Sequence, residues 1–355
     1  MRHVSRRRFL QASGAFAGAG LIGEATLGTP LLPGRDGQAM EEVRLAFTGY
    51  ERFMPLATGD VAMASPRLTW VRGPRSEMLA RAASDPHLHG GEGSMLGHLL
   101  RVAEGDDSLA AVPVFLLRNF TARDLYTRRG AELAPDRLDG HRVGIYNWAA
   151  SGAVWYRHLV RYLGQDPYAI EWVVGRADTP DAVTSRVPLP SHVRYAPPGR
   201  SLTDMLLAGD IDAFFAPGVP RRYDPDQGPI VRVVPDFRSL EKQYFRDTGC
   251  YPPQHALLLR KGILDEAPSI GTRLLETFQE CEGTFMAAQA LFPYATPWMM
   301  EDLEDTLRFL GSDYHLHGLE RNRHAMETFL QSAYDDRMTD RLVTVEEYFR
   351  EFRGG

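Results

Sequence analysis

Two pairs of histidines stand at alternate positions, His87-Leu88-His89 and His315-Leu316-His317. On a strand that spacing turns both imidazoles to one face, as a metal site needs. Neither pair has a third ligand nearby, so loop histidines facing solvent are the simpler reading, and no metal or other cofactor is expected. Cys250 and Cys281 have neither metal spacing nor the neighbours of a nucleophile, and their separation leaves open whether they pair. Tyr146-Asn147-Trp148 is more promising. It follows a buried-strand pattern and precedes a helical one, whose first turn near Ser151-Gly152 offers backbone N–H groups to an anion. Tyr50, Phe120, Tyr146, Asn147 and Trp148 are candidates for stacking and hydrogen bonding to a ligand, with Ser151 at the helix start.

The chain has 40 Lys and Arg against 46 Asp and Glu, a formal charge of -6. Its first residues include Ser5-Arg6-Arg7-x-Phe9-Leu10, followed by a Gly- and Ala-rich apolar run, Ala12 to Ile22. That pattern is a twin-arginine export signal. The run is about half the roughly 20 residues a membrane-spanning helix needs, so it is not an anchor, and cleavage near Gly23-Glu24-Ala25 is expected. Losing residues 1–25 removes four arginines and one glutamate and takes the formal charge from -6 to -9. An acidic surface without a basic stripe excludes nucleic acid as a partner. Any anion the protein binds must meet a local pocket of Arg and His.

About 315 mature residues exceed what one hydrophobic core usually holds, so two lobes are expected. Strand patterns at Val43–Thr48, Ala110–Phe115, Val143–Ile145, Glu171–Val174 and Ile211–Ala216 alternate with helical patterns at Pro74–Ala83, Ala149–Leu163 and Leu202–Ala208. The fold class is therefore α/β, each lobe a mainly parallel sheet flanked by helices. Ligands of such sheets sit beyond the carboxyl ends of strands, which directs attention to the loops after Thr48 and Ala216. From Ala267 onward the chain reads as mostly helical. Residues 179–200 carry five prolines and read as a long surface loop, either a structural excursion or a specificity loop.

The order of these segments resembles a type II periplasmic binding protein, in which two α/β lobes joined by two crossing strands close on a ligand. Asp139-Gly140-His141-Arg142-Val143-Gly144 opens the second lobe, Ser201 to Ala213 closes it, and Tyr251-Pro252-Pro253-Gln254-His255-Ala256-Leu257 returns the chain to the first. The lobes expected are 41–128 with 245–355, and 129–244, after a signal and linker at 1–40. Within that superfamily the chain resembles the group named for 4,5-dihydroxyphthalate decarboxylase. Gly49-Tyr50-Glu51-Arg52, Pro113-Val114-Phe115-x-x-Arg118-x-Phe120, Leu202-x-Asp204-Met205-Leu206, Asp210-Ile211-Asp212-Ala213, Thr248-Gly249-x-Tyr251-Pro252, Gly318-Leu319-Glu320-x-Asn322-Arg323 and Glu327-Thr328-Phe329-Leu330 carry the likeness. They are specific in combination and weak singly.

The resemblance implies a ligand with two adjacent carboxylates and two phenolic hydroxyls, which calls for planar cationic forks and an aromatic wall. Arg52, Arg118 and Arg123 are the candidate forks. As an enzyme, the protein would need a proton donor at the ring carbon that loses CO2. Tyr251-Pro252-x-x-His255 makes His255 the first candidate, with Glu51 and Asp212 behind it; a His satisfied by backbone at the hinge is the plainer reading. Where the group usually places a His after Arg118-x-Phe120, this chain has Thr121-Ala122-Arg123-Asp124. That departure and the export signal favour a periplasmic or extracellular solute-binding protein for a small organic anion. Its expected partners are the twin-arginine translocase and an inner-membrane ABC permease. The alternative is a carboxy-lyase forming 3,4-dihydroxybenzoate.

Overall fold

The computed structural model describes residues 40–291 and 296–352. The export signal read from the sequence lies outside the described residues. Eleven strands form two sheets: β1 (Glu42–Thr48), β2 (Arg67–Gly73), β3 (Gly90–Ser94), β4 (Leu109–Arg118), β5 (Leu125–Arg128), β6 (Arg142–Ile145), β7 (Glu171–Val174), β8 (Val193–Tyr195), β9 (Ala213–Phe215), β10 (Ile230–Arg232) and β11 (Pro253–Arg260). The strand orders are β2-β1-β3-β11-β4 and β10-β5-β9-β6-β7-β8. The protein is thus an α/β protein with two mixed sheets. A helical crossover joins the parallel strands β6 and β7, whereas β7 and β8 are joined by loop. β11 against β4, and β5 against both β9 and β10, supply the antiparallel pairs.

Residue packing divides the chain into two compact units. One holds Ile263–His317 and the described residues up to Gly91; the other holds Glu92–Gly262 and Gly318–Phe352. In the first, β1 pairs in parallel with β2 along its whole length and with Gly90 and Gly91 of β3. Its core is aromatic: Phe47 stacks on Trp70 at 4.4 Å, and Phe53 and Phe278 close on Phe47 edge-on and tilted. Rings of this size contribute about 3 kcal/mol each on full burial. Leu274 and Phe278 on the helix Ile270–Leu291 are wholly buried, as the spacing predicts, and Leu275 is half-buried.

In the second unit, β4 is buried along nearly its whole length, which explains its unbroken apolar run. Trp148, Trp155, Trp172, Phe215 and Phe329 centre a large core. Arg157 is buried within it, bonded to Asp336 at 2.6 Å and to the Trp148 carbonyl, with its guanidinium 4.1 Å from the Trp148 ring. The helix Leu202–Ala208 starts at a Ser201/Asp204 capping box and stops at Gly209 in the left-handed region, so both boundaries follow from local chemistry. The Pro-rich stretch 179–200 is largely loop, interrupted by the short strand β8, which pairs with β7. Pro74 proves to be the N-cap of a helix over Arg75–Ser84.

Candidate functional site

His255 sits on β11 between two irregularities of pairing. Pro253 faces Arg118, His255 faces Leu117, and Leu257 faces Val112, so the register slips on both sides of the histidine. Pro113, inside the skipped stretch of β4, has no N–H to give the ladder, and its carbonyl accepts instead from Gly318 N–H at 2.8 Å. Such bulges bend a strand and re-aim its side chains. The His255 side chain retains 12% exposure, and its Nδ1 lies 2.5 Å from Oε1 of Glu92, a carboxylate with no exposed surface. The backbone-satisfied histidine considered from sequence is therefore replaced by one paired to a buried acid. Sequence reasoning missed Glu92, whose one signal is an acidic residue among the glycines of Gly90-Gly91-Glu92-Gly93-Ser94.

Two residues along β3, and so on the same face as Glu92, Ser94 caps the helix Met95–Glu104 by accepting from Gly97 N–H. The Ser94 hydroxyl is also 2.9 Å from the hydroxyl of Ser151, the first residue of the helix Ser151–Tyr162, and Ser151 accepts from Leu96 N–H. Gly152 follows. A Cβ there would lie 2.7 Å from the Tyr146 hydroxyl and 3.3 Å from Gln254 Oε1, so both groups hang over the first helical turn. Around the junction of β3, β11 and this helix start, the second unit thus gathers an imidazole–carboxylate pair, three hydroxyls and an amide. The arrangement can move a proton at His255 and can hydrogen-bond phenolic or carboxylate oxygens nearby.

The other candidates have structural partners. Asn147 accepts from Ala149 N–H in a local turn, and Trp148 is 2% exposed beneath Arg157. Arg118 is buried, donating to Asn322 Oδ1 and the Tyr251 carbonyl over the Phe115 ring. Phe120 packs on Tyr244 and Tyr251. Arg123 keeps a 43% exposed side chain 3.5 Å from Asp124. In the first unit, Arg52 pairs with Glu282 at 2.9 Å and lies over the rings of Phe53 and Tyr50. Glu282 also meets buried His317 at 3.3 Å, and His89 Nδ1 accepts from Arg44 N–H, so one histidine of each pair is packed into the structure. Among the described residues no group of three His, Cys, Asp or Glu is placed to hold a metal.

The remaining acids differ in character. Burial alone would raise Asp212, but hydrogen bonds from the Arg142 backbone and guanidinium hold it below the usual carboxylate range. It is a poor proton donor at neutral pH. Glu51 stands exposed in a short 3-10 turn. Both cysteines are free and buried, and burial pushes their thiols upward, Cys281 to about 12, which disfavours the nucleophilic thiolate.

Among solved structures the chain is similar to a periplasmic solute-binding protein, the aliphatic sulphonate binding protein SsuA from Escherichia coli. The two are 15% identical, the match covers 89% of this chain and 92% of that one, and the TM-score is 0.49. In sequence the chain is similar to 4,5-dihydroxyphthalate decarboxylases. It is 24% identical over 317 residues to that of Comamonas testosteroni, covering 87% of this chain and 96% of the relative. It is 26% identical over 208 residues to that of Pseudomonas putida, covering 57% and 80%. No family model matches the chain.

Proposed function

We propose that this protein is a carboxy-lyase for an aromatic dicarboxylic acid of the 4,5-dihydroxyphthalate type, with His255 as the proton donor. The observation that carries the reading is His255 itself, partly exposed between two bulges, with Nδ1 on the buried carboxylate of Glu92. Likeness to the decarboxylases over nearly their full length supports the substrate class. The sequence favoured solute binding partly because Thr121-Ala122-Arg123-Asp124 stands where a histidine is usual. His255, the first donor candidate in the sequence, is proposed to serve instead.

Each carboxyl-bearing carbon of 4,5-dihydroxyphthalate has a hydroxyl para to it, so the ring can push electron density toward the carbon that must be protonated. A C–H bond forms there with the proton from imidazolium Nε2, and the positive charge spreads onto the para oxygen. The C–C bond to the carboxylate then breaks, its electron pair restores the aromatic ring, and CO2 leaves. One proton is consumed for each CO2 and 3,4-dihydroxybenzoate formed, and His255 regains its proton from water. The Tyr146, Ser94 and Ser151 hydroxyls and Gln254 are proposed to meet the oxygens of the substrate, with the start of the helix Ser151–Tyr162 favouring a carboxylate. Of the candidate forks, Arg123 is proposed for the substrate because its side chain is the most exposed, whereas Arg52 and Arg118 are held by Glu282 and Asn322.

The proposal includes export, on the strength of Arg6-Arg7 and the apolar run after them. It also includes the expected lobe division, supported by one sheet drawing on residues up to Arg118 and from Pro253, and the other on Leu125–Arg232. The second reading, a binding protein that delivers such an acid to a permease, is favoured by the same export motif. Incubation with 4,5-dihydroxyphthalate separates them: CO2 release supports the lyase, and a thermal shift without product supports the binding protein.

A further inference from the structure

Glu92 is fixed by the backbone on either side of it. A Cβ at Gly91 would fall 2.0 Å from the Ala46 carbonyl oxygen, and one at Gly93 would fall 2.1 Å from Leu258 Cδ1. The two glycines let β3 lie close to its surroundings, leaving Glu92 as the one long side chain of the strand. Glutamate is a poor strand former, and a wholly buried carboxylate is strongly disfavoured by desolvation unless it is paired. Strand formation does not account for this residue, but its contact with His255 does.

We infer that Glu92 is a positioning residue for His255. Its carboxylate accepts from Nδ1–H, which fixes the plane of the ring and makes Nε2 the atom that gains and loses the catalytic proton. Within the reaction, this role rests on the carboxy-lyase reading. The tautomer it imposes does not.

The test uses the full chain with 15N-labelled histidine, His255→Gln assigning the resonance. The neutral form of His255 is expected as the Nδ1–H tautomer in the wild type and mainly as the Nε2–H tautomer in Glu92→Ala. A wild-type Nε2–H tautomer would overturn the inference, and this spectrum decides the matter even if the variant does not fold. With 4,5-dihydroxyphthalate as substrate, Glu92→Gln is expected to lower kcat about 10²-fold with KM within about twofold. Unchanged kcat would overturn the role in the reaction. Absence of turnover in the wild type would remove the carboxy-lyase reading and leave the positioning claim to the tautomer alone.

Discussion

At the scale of single residues, His255 is the proposed proton donor, while Arg118 and Arg157 are held by buried partners. Replacing His255 by Gln is expected to lower turnover of 4,5-dihydroxyphthalate by about 10²- to 10⁴-fold. The thermal shift produced by the same acid should persist. Full turnover in that variant would require another donor. Arg118 belongs to the other kind: losing its bonds to Asn322 and the Tyr251 carbonyl should cost about 2–3 kcal/mol, read as a lower urea midpoint with unchanged slope. Unchanged stability together with lost ligand binding would return Arg118 to the list of forks.

His255 was legible because its neighbours, Tyr251 and Pro252, mark the strand that carries it. Glu92 was not, since it lies 163 residues away and only the pairing of β3 with β11 brings the two together. Trp148 looked like a ligand's aromatic wall from its loop position. The structure closes it beneath Arg157, and nothing local in the sequence announces a buried arginine 9 residues further on.

At the scale of elements, long periodic or continuously apolar segments were read correctly, as β1, β4 and the helix Ser151–Tyr162 show. The segments that escaped are short or lack a pattern. β3 is mostly glycine and is buried by backbone contact, and β8 and β10 have three residues each. Tertiary pairing, not propensity, makes these strands.

A second cluster joins the start of β5 to the helix Phe237–Thr248. Asp124 accepts from the Tyr156 hydroxyl at 2.9 Å, and Glu241 accepts from Arg123 N–H at 3.2 Å. Burial pushes Asp124 up to about 6 and Glu241 up to about 7, against the opposing pull of Arg123 on both. Because both folded values are raised, the fold holds these protons more tightly than the unfolded chain. This contribution to stability is full below about pH 4 and is lost as pH rises through 6 to 7. Asp124→Asn should remove on the order of 2 kcal/mol of that dependence. Urea midpoints of wild type and variant between pH 4 and 8 would show it, and parallel curves would contradict it.

At the scale of the whole molecule, the formal charge of -6 opposes the approach of a dianionic substrate. Raising ionic strength from about 0.01 to 0.15 M shortens the Debye length from about 30 to 8 Å. KM for 4,5-dihydroxyphthalate should therefore fall with added salt while kcat holds. A KM that rises with salt would point to a stronger cationic site than the one described. The α/β class and the group resemblance were legible from segment order. The choice between binding and catalysis was not, because the contact on which the proposed carboxy-lyase reading rests joins residues far apart in sequence.

The most direct measurement follows CO2 release and 3,4-dihydroxybenzoate formation from 4,5-dihydroxyphthalate by the purified protein, with a thermal shift recorded in the same samples. Both products are expected in equal amounts, one of each per substrate consumed, and are expected to be lost in His255→Gln. A stabilising shift with no product from the wild type would contradict the central claim and make this a binding protein for such an acid.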